Sequence, residues 1–266
     1  WLYQCFAEHR EVIVPNEDSV QYFSMFYHRG NDWFDAWFPR AAPEQCRLDP
    51  TPSYFRSPIA VERIYNENPK ARLICCLRHP VERAFSHYWH EKKKNRFNFS
   101  FEECLSNFDL FTNWIEPSLY TIHLERIWRF FSQDQVLVQI YDDLLEDPGT
   151  FAAAAFRFAG VDPDFRPSVL DRRVNAARPR PRTWWPGNAA KGRNNSPRAG
   201  RKARRMLQRL PGASETERLA DIAPETKAAL ADLFAPEIDR LEVLLDRDLT
   251  HWRKINGAMH KSGVAA

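Results

Sequence analysis

Two short and nearly continuous hydrophobic runs, at 71–77 and 136–141, are each followed by a longer segment with helical spacing. Both runs have the length and the apolar content of buried strands. After the first run, apolar positions recur every three to four residues from Val81 to about Lys94, and after the second they do so from Phe151 to Ala159. Strands that alternate with helices in this way predict an α/β fold with a parallel central sheet, flanked by helices on both faces.

Shorter elements are predicted around these two units: a strand at 12–14 and helices at 1–9, 60–65 and 119–131. The aromatic-rich stretch 22–38 is broken by a glycine, and the proline-rich stretch 42–58 is expected to be irregular. Near the C-terminus the apolar stripe predicts two helical pieces, 225–234 and 236–245, because Pro236 suits the first turn of a new helix.

The composition is that of an ordinary globular chain, with 44% hydrophobic and 27% charged residues among 266. No apolar run approaches the roughly 18 residues that a membrane helix needs, and no secretory signal pattern is visible. Five cysteines without a CxxC pair suit reduced thiols and argue against a zinc ribbon. We therefore expect a soluble, cytoplasmic protein that forms a single domain over residues 1–266.

The net charge of +3 hides one strongly basic segment. Residues 171–210 carry thirteen Arg or Lys against one acidic residue, so the rest of the chain is mildly acidic. We expect 171–224 to be a basic and partly irregular excursion from the domain. It either meets an anionic partner or is a solvated loop without a fixed ligand. Trp184 and Trp185 within it could serve as stacking platforms or as loop anchors.

Candidate chemistry appears directly after the first predicted strand, where ligands bind in open α/β sheets. Arg78 occupies that position. On the following helix Ser86 lies roughly 130° from the centre of the apolar stripe, so it is not a core residue, and Arg83 shares its flank. The Arg78 guanidinium at the strand end and the Ser86 hydroxyl near the helix start could together bind one phosphate. The alternative is a salt-bridged arginine beside a solvated serine.

Residues 73–90, LICCLRHPVERAFSHYWH, resemble the 3′-phosphate-binding motif of sulfotransferases that use 3′-phosphoadenosine 5′-phosphosulfate (PAPS). The family pattern R-x-P-x-x-R-x-x-S-x-Y is met at every fixed position. The resemblance implies a P-loop-nucleotide-kinase-like sulfotransferase fold, PAPS as the co-substrate, and no metal. It also implies that Arg78 and Ser86 bind the 3′-phosphate of the nucleotide.

Other stretches are similar to bacterial and heparan-sulfate-type members of the same family. Trp1-Leu2 resembles the residues that follow the family's phosphate loop, which implies that Trp1 lies beside the adenine. Lys191-Gly192-Arg193 is similar to the loop that closes over the nucleotide, although it is also one basic tripeptide among several. Further similarity lies at 51–55, 118–120, 141–145 and 234–252.

Some features depart from the family pattern. The phosphate loop is not among these residues, and because no capping signal precedes the helix at 1–9, we expect an upstream piece to be missing. Heparan-type relatives carry a Lys-Glu pair whose glutamate is the general base. Here Asp18 and Ser19 stand at those positions, so Glu17 or Asp18 could supply the carboxylate. His87 and His90 are alternative bases, and no third ligand accompanies them for a metal.

The predicted function is transfer of a sulfuryl group from PAPS to a hydroxyl or amine of a small-molecule or carbohydrate acceptor. One alternative is a catalytically inactive nucleotide-binding relative, which the missing Lys-Glu pair favours. Another, less favoured, is a nucleic-acid-binding protein that uses residues 171–210. We expect neither nucleic-acid nor membrane partners, and the sequence leaves the acceptor and the oligomeric state open.

Overall fold

The computed structural model describes residues 1–15, 19–38, 45–92, 97–170 and 222–254. Its strands are β1 (Val12–Ile13), β2 (Cys46–Arg47), β3 (Leu73–Leu77) and β4 (Val136–Ile140). Its α-helices are α1 (Leu2–Glu8), α2 (Asn31–Asp35), α3 (Pro58–Glu67), α4 (Pro80–Lys92), α5 (Phe108–Leu110), α6 (Tyr120–Ile127), α7 (Tyr141–Glu146), α8 (Pro148–Ala159) and α9 (Pro224–Leu245). Within these ranges, no helix combines the length and the apolar character needed to cross a membrane.

Strands β3 and β4 form a parallel pair, as the hydrophobic pattern predicts, with Leu73 opposite Val136 and Leu77 opposite Ile140. A second parallel pair joins β1 to β2. Strand β2 lies inside the stretch that was expected to be irregular, so that expectation is wrong at these two residues. Two residues are too few to produce a periodic pattern, and β2 depends on hydrogen bonds to the backbone around β1.

Apolar side chains cover both faces of the β3–β4 pair. Cys75 and Leu77 belong to the larger core cluster, together with the buried stripe of α4 and residues of α6 and α9. Ile74 and Leu137 pack against the smaller cluster, which α1 and α8 form. Burying one such large side chain stabilises the fold by about 1.5–3 kcal/mol. The flanked parallel sheet predicted from the sequence is therefore the core of the structure.

Helix α9 runs without a break from Pro224 to Leu245 and contains Pro236 in its interior. The expectation of two helical pieces is therefore wrong. Pro236 removes one helical hydrogen bond, but Glu237 beside it is buried and anchored. Its carboxylate accepts hydrogen bonds from the backbone N–H and the hydroxyl of Thr121, both at 2.7 Å. These contacts with the start of α6 hold the helix together across the proline.

Candidate functional site

The candidate site lies where β3 and β4 end side by side. Leu77 of β3 pairs with Ile140 of β4. The residues that follow these two, Arg78 and Tyr141, are therefore neighbours at the carboxyl edge of the sheet. The Arg78 guanidinium lies over the Tyr141 ring, 4.9 Å from its centroid. A cation held over an aromatic face gains about 0.5–1 kcal/mol at such a site, so the ring also restricts the arginine.

Arg78 is also ion-paired with Glu82 in the first turn of α4. Its Nε and Nη2 atoms donate to Glu82 Oε2 at 3.1 and 2.9 Å, and both side chains are largely buried. The salt bridge that we expected for Arg78 as the alternative to phosphate binding is therefore present. It does not exclude phosphate binding, because a guanidinium carries five N–H donors in a planar fork and can contact a carboxylate and a phosphate together.

Ser86 lies one helical turn beyond Glu82, on the same flank of α4. It is half-buried and stands outside the apolar stripe of the helix, in agreement with the periodicity. Arg78 thus precedes α4, and Glu82 and Ser86 follow it on one flank of that helix.

The second arginine of the motif, Arg83, faces the segment before α6 instead. Its Nε donates to Ser118 Oγ and its Nη2 donates to the Trp114 carbonyl oxygen. Ser118 Oγ in turn donates to the carbonyl of Pro80 at 2.9 Å. Burial lowers the pKa of the Arg83 guanidinium. Arg83 therefore holds the start of α4 against the segment before α6.

The tyrosines around the motif are also structural. Tyr120 donates from its hydroxyl to the backbone carbonyl of Arg78 at 2.7 Å, and burial raises the pKa of that hydroxyl to about 12. Tyr88 donates in the same way to the carbonyl of Phe99 at 2.8 Å. Arg83 and Tyr88 thus build the scaffold of the motif, whereas Arg78 lies at the sheet edge and Ser86 stands half-buried on α4.

Trp1 packs against α8. Its ring meets Phe151 edge to face at 6.2 Å, and its Nε1 donates to the carbonyl of Val169 at 3.3 Å. Trp1 and Ile74 of β3 both pack against the smaller core cluster. The place of Trp1 beside the adenine stays a prediction.

Several candidates fall outside the described residues, namely Glu17, Asp18, Lys191, Gly192, Arg193, Trp184 and Trp185. The structure does describe the anchor of the segment that follows Asp18. The backbone N–H groups of Val20 and Gln21 donate to Thr51 Oγ1 at 3.1 and 3.3 Å. Thr51 in turn donates to Asp49 at 2.6 Å, so the stretch that resembles the family at 51–55 holds this neighbouring segment in place.

Two residues at the site, Tyr141 and Glu82, were not predicted to act there. Tyr141 directly follows the second predicted strand, so the rule that places Arg78 at the sheet edge also places Tyr141 there. Glu82 stands four residues after Arg78, a spacing at which opposite charges meet along a helix. Both signals were present in the sequence.

The two candidate histidine bases differ in exposure. His90 is exposed, whereas His87 is partly buried near Trp114, and burial lowers the pKa of His87 to about 4. In the ranges that the structure covers, no group of three or more His, Cys, Asp or Glu side chains is arranged to hold a metal ion.

A third histidine, His123, has a fully buried side chain beside Phe55. Neither ring nitrogen has a hydrogen-bond partner among the described residues, and Glu116 Oε1 lies 3.5 Å from Nε2. Burial lowers the pKa of His123 to about 4, from the ordinary value of 6.5. The folded protein therefore keeps this imidazole neutral at a pH where the unfolded chain protonates it.

We expect acid to destabilise the fold through His123. As the pH falls from 6.5 towards 4, the unfolded state takes up a proton that the folded state refuses, so the free energy of unfolding decreases. The loss attributable to this residue between pH 7 and pH 4.5 should be about 2 kcal/mol. Urea unfolding at both pH values measures it in the wild type and in His123→Phe, which keeps a ring beside Phe55. Equal losses in the two proteins would contradict the prediction.

Comparison with known proteins identifies the family to which this fold belongs. A parallel α/β core binds ligands at the carboxyl edge of its sheet, and here Arg78 stands at that edge. The family model described as "Sulfotransferase domain" matches residues 1–178. The chain belongs to this sulfotransferase family.

Similar proteins include the mouse bifunctional heparan sulfate N-deacetylase/N-sulfotransferase 4, 31% identical over 187 residues, and the human heparan sulfate glucosamine 3-O-sulfotransferase 5, 29% identical over 178. These matches cover 62% and 63% of this chain but only 21% and 51% of the relatives, so the chain spans about half their length or less. A sulfotransferase structure from Alicyclobacillus acidocaldarius has a TM-score of 0.69 at 22% identity. It covers 95% of this chain and 93% of its own, which confirms the predicted fold.

Proposed function

We propose that residues 1–266 form one sulfotransferase domain that transfers a sulfuryl group from PAPS to a hydroxyl or amine of a carbohydrate acceptor. One observation carries this proposal: Arg78 lies at the carboxyl edge of β3, with its guanidinium over the Tyr141 ring. Ser86 lies on α4, the helix that begins directly after this edge. Family membership and the fold support sulfuryl transfer as the reaction at this edge.

In the proposed reaction, Arg78 and Ser86 bind the 3′-phosphate, and the N-terminal N–H groups of α4 add a favourable dipole. With the nucleotide fixed, an acceptor oxygen or nitrogen attacks the sulfur in line. The bond between sulfur and the bridging oxygen breaks, and adenosine 3′,5′-bisphosphate leaves. The acceptor proton passes to a carboxylate, for which Glu17 and Asp18 are the candidates. Lys191 and Arg193 would stabilise charge on the leaving oxygen, and no metal is required.

The proposed acceptor class comes from the relatives. Their names describe sulfation of heparan sulfate and of its glucosamine, which are carbohydrates with hydroxyl and amino groups. A carbohydrate chain is therefore the first acceptor to test, with small hydroxylated molecules as the second.

We also propose a bacterial, cytoplasmic location. All five cysteines are free, including the buried Cys5, Cys75 and Cys104, which suits a reducing compartment. The similar solved structure comes from Alicyclobacillus. Reaction with a thiol reagent in intact cells and in lysates would separate this location from an oxidising one.

The direct test is calorimetric titration with adenosine 3′,5′-bisphosphate, followed by transfer of labelled sulfate from PAPS to heparan-type and neutral oligosaccharides. We expect saturable binding and labelled product. Binding without transfer to any acceptor would favour an inactive nucleotide-binding relative. If neither this chain nor a version extended by an N-terminal phosphate loop binds the nucleotide, the proposal is wrong.

Ionic strength separates the remaining alternative. Binding of nucleic acid through the basic segment 171–210 should weaken steeply as salt rises, because each phosphate contact releases counterions. Binding of one nucleotide at a partly buried Arg78 should change much less. A steep salt dependence together with a preference for polynucleotides would favour the nucleic-acid interpretation.

A further inference from the structure

The chain that follows α9 returns to the candidate site. Arg247 donates from both terminal nitrogens to the Asp143 carboxylate, with Nη1 2.7 Å from Oδ2. Trp252, whose side chain is almost completely buried, donates from Nε1 to Asp142 Oδ2 at 2.7 Å. We call Arg247 and Trp252 together the C-terminal brace. Both side chains hydrogen-bond to the first turn of α7.

Asp142 and Asp143 are the residues directly after Tyr141, the ring on which Arg78 lies. The Trp252 ring also lies 6.2 Å from the ring of His79, the residue directly after Arg78. The C-terminal brace therefore contacts the chain immediately beyond both strand ends that form the candidate site.

We propose that the C-terminal brace positions Arg78 and Tyr141 for binding of the nucleotide 3′-phosphate, an inference that rests on the proposed function. Arg247 and Trp252 are then positioning residues, since they act through Asp142, Asp143 and Tyr141. Small displacements of a binding group are costly, because a charged hydrogen bond depends steeply on geometry.

The type of contact supports a positioning role. An exposed ion pair usually contributes little to stability. A two-point contact between a guanidinium and a carboxylate, however, fixes direction as well as distance. The Trp252 N–H donor belongs to a buried ring that packing holds in place. A shift of the turn would therefore break its hydrogen bond to Asp142. Together the two contacts fix the turn from two sides.

The chain offers a matched control in Arg253. This arginine follows Trp252 directly in the chain, and its side chain is 36% exposed against 41% for Arg247. Arg253 pairs with Asp239 and Glu242 on α9, and not with the turn after β4. Removing it tests the effect of losing an arginine ion pair of similar exposure, without releasing Tyr141.

The experiment compares wild type, Arg247→Ala, Trp252→Phe and Arg253→Ala in the full chain. For each, calorimetry measures Kd for adenosine 5′-phosphate and for adenosine 3′,5′-bisphosphate, and the first Kd divided by the second isolates the contribution of the 3′-phosphate to affinity. We expect Arg247→Ala and Trp252→Phe to reduce this ratio about five-fold. Arg253→Ala should leave it unchanged, and adenosine 5′-phosphate should bind all four proteins alike.

Thermal unfolding of each variant shows which proteins are folded. If Trp252→Phe does not fold, Arg247→Ala with Asp143→Asn takes its place, and this double variant should lose no more than Arg247→Ala alone. An unchanged ratio in Arg247→Ala, or equal weakening of both nucleotides, would overturn the positioning role. A wild type that does not distinguish the two nucleotides would instead overturn the proposed function, and the brace with it.

Discussion

Replacement of Arg78 by alanine should weaken binding of adenosine 3′,5′-bisphosphate by about 100-fold, because a largely buried charged contact to phosphate is lost. The fold should also lose stability, because the largely buried Glu82 carboxylate is left without this ion-pair partner. Calorimetric titration measures the affinity, and urea unfolding measures the stability of the same samples.

Two further variants sharpen this expectation. Arg78→Lys keeps the charge but loses the planar fork, so it should recover only part of the affinity. Ser86→Ala should weaken binding about ten-fold through loss of one hydrogen bond to a charged group. Arg240→Ala, which removes an exposed ion pair with Glu125, serves as the control. Wild-type affinity in Arg78→Ala would exclude Arg78 from the nucleotide site.

Local pattern was sufficient to predict the central unit of the fold and the place of Arg78 at the edge of its sheet. The hydrophobic run of β3, the helical spacing of α4 and the rule that ligands meet strand ends together place Arg78 at the sheet edge and Ser86 outside the core. Each of these inferences depends on residues close together in the chain. The same reasoning extends to Tyr141 at the end of β4.

The errors arose where distant residues decide the structure. Helix α9 continues through Pro236 because Glu237 is anchored to Thr121, which lies 116 positions earlier in the chain. Likewise, strand β2 forms through hydrogen bonds to the backbone around β1, which lies far earlier in the chain. A periodic pattern contains the preferences of one segment and not the partners that folding brings to it, so neither outcome could be predicted from spacing.

Loss of the second arginine of the motif should reduce the stability of the fold and leave nucleotide binding largely intact. Arg83→Ala should lower the free energy of unfolding by about 3 kcal/mol, because it removes two hydrogen bonds from a buried cation and leaves the Trp114 carbonyl without that donor. For a chain of this size the corresponding fall in Tm is about 8 °C. Folded Arg83→Ala should bind the nucleotide far better than Arg78→Ala does.

Ser118→Ala provides the matched test of the same contact. Its hydroxyl accepts from Arg83 and donates to the Pro80 carbonyl, so its loss should cost about 1–2 kcal/mol. In the double variant the two effects should fall short of additive, since both remove the Arg83–Ser118 hydrogen bond. If Arg83→Ala unfolds within about 0.5 kcal/mol of wild type but loses nucleotide binding, the division of the motif would have to be reversed. Arg83 would then belong to the ligand site, and its contacts with Ser118 and Trp114 would exchange for phosphate on binding.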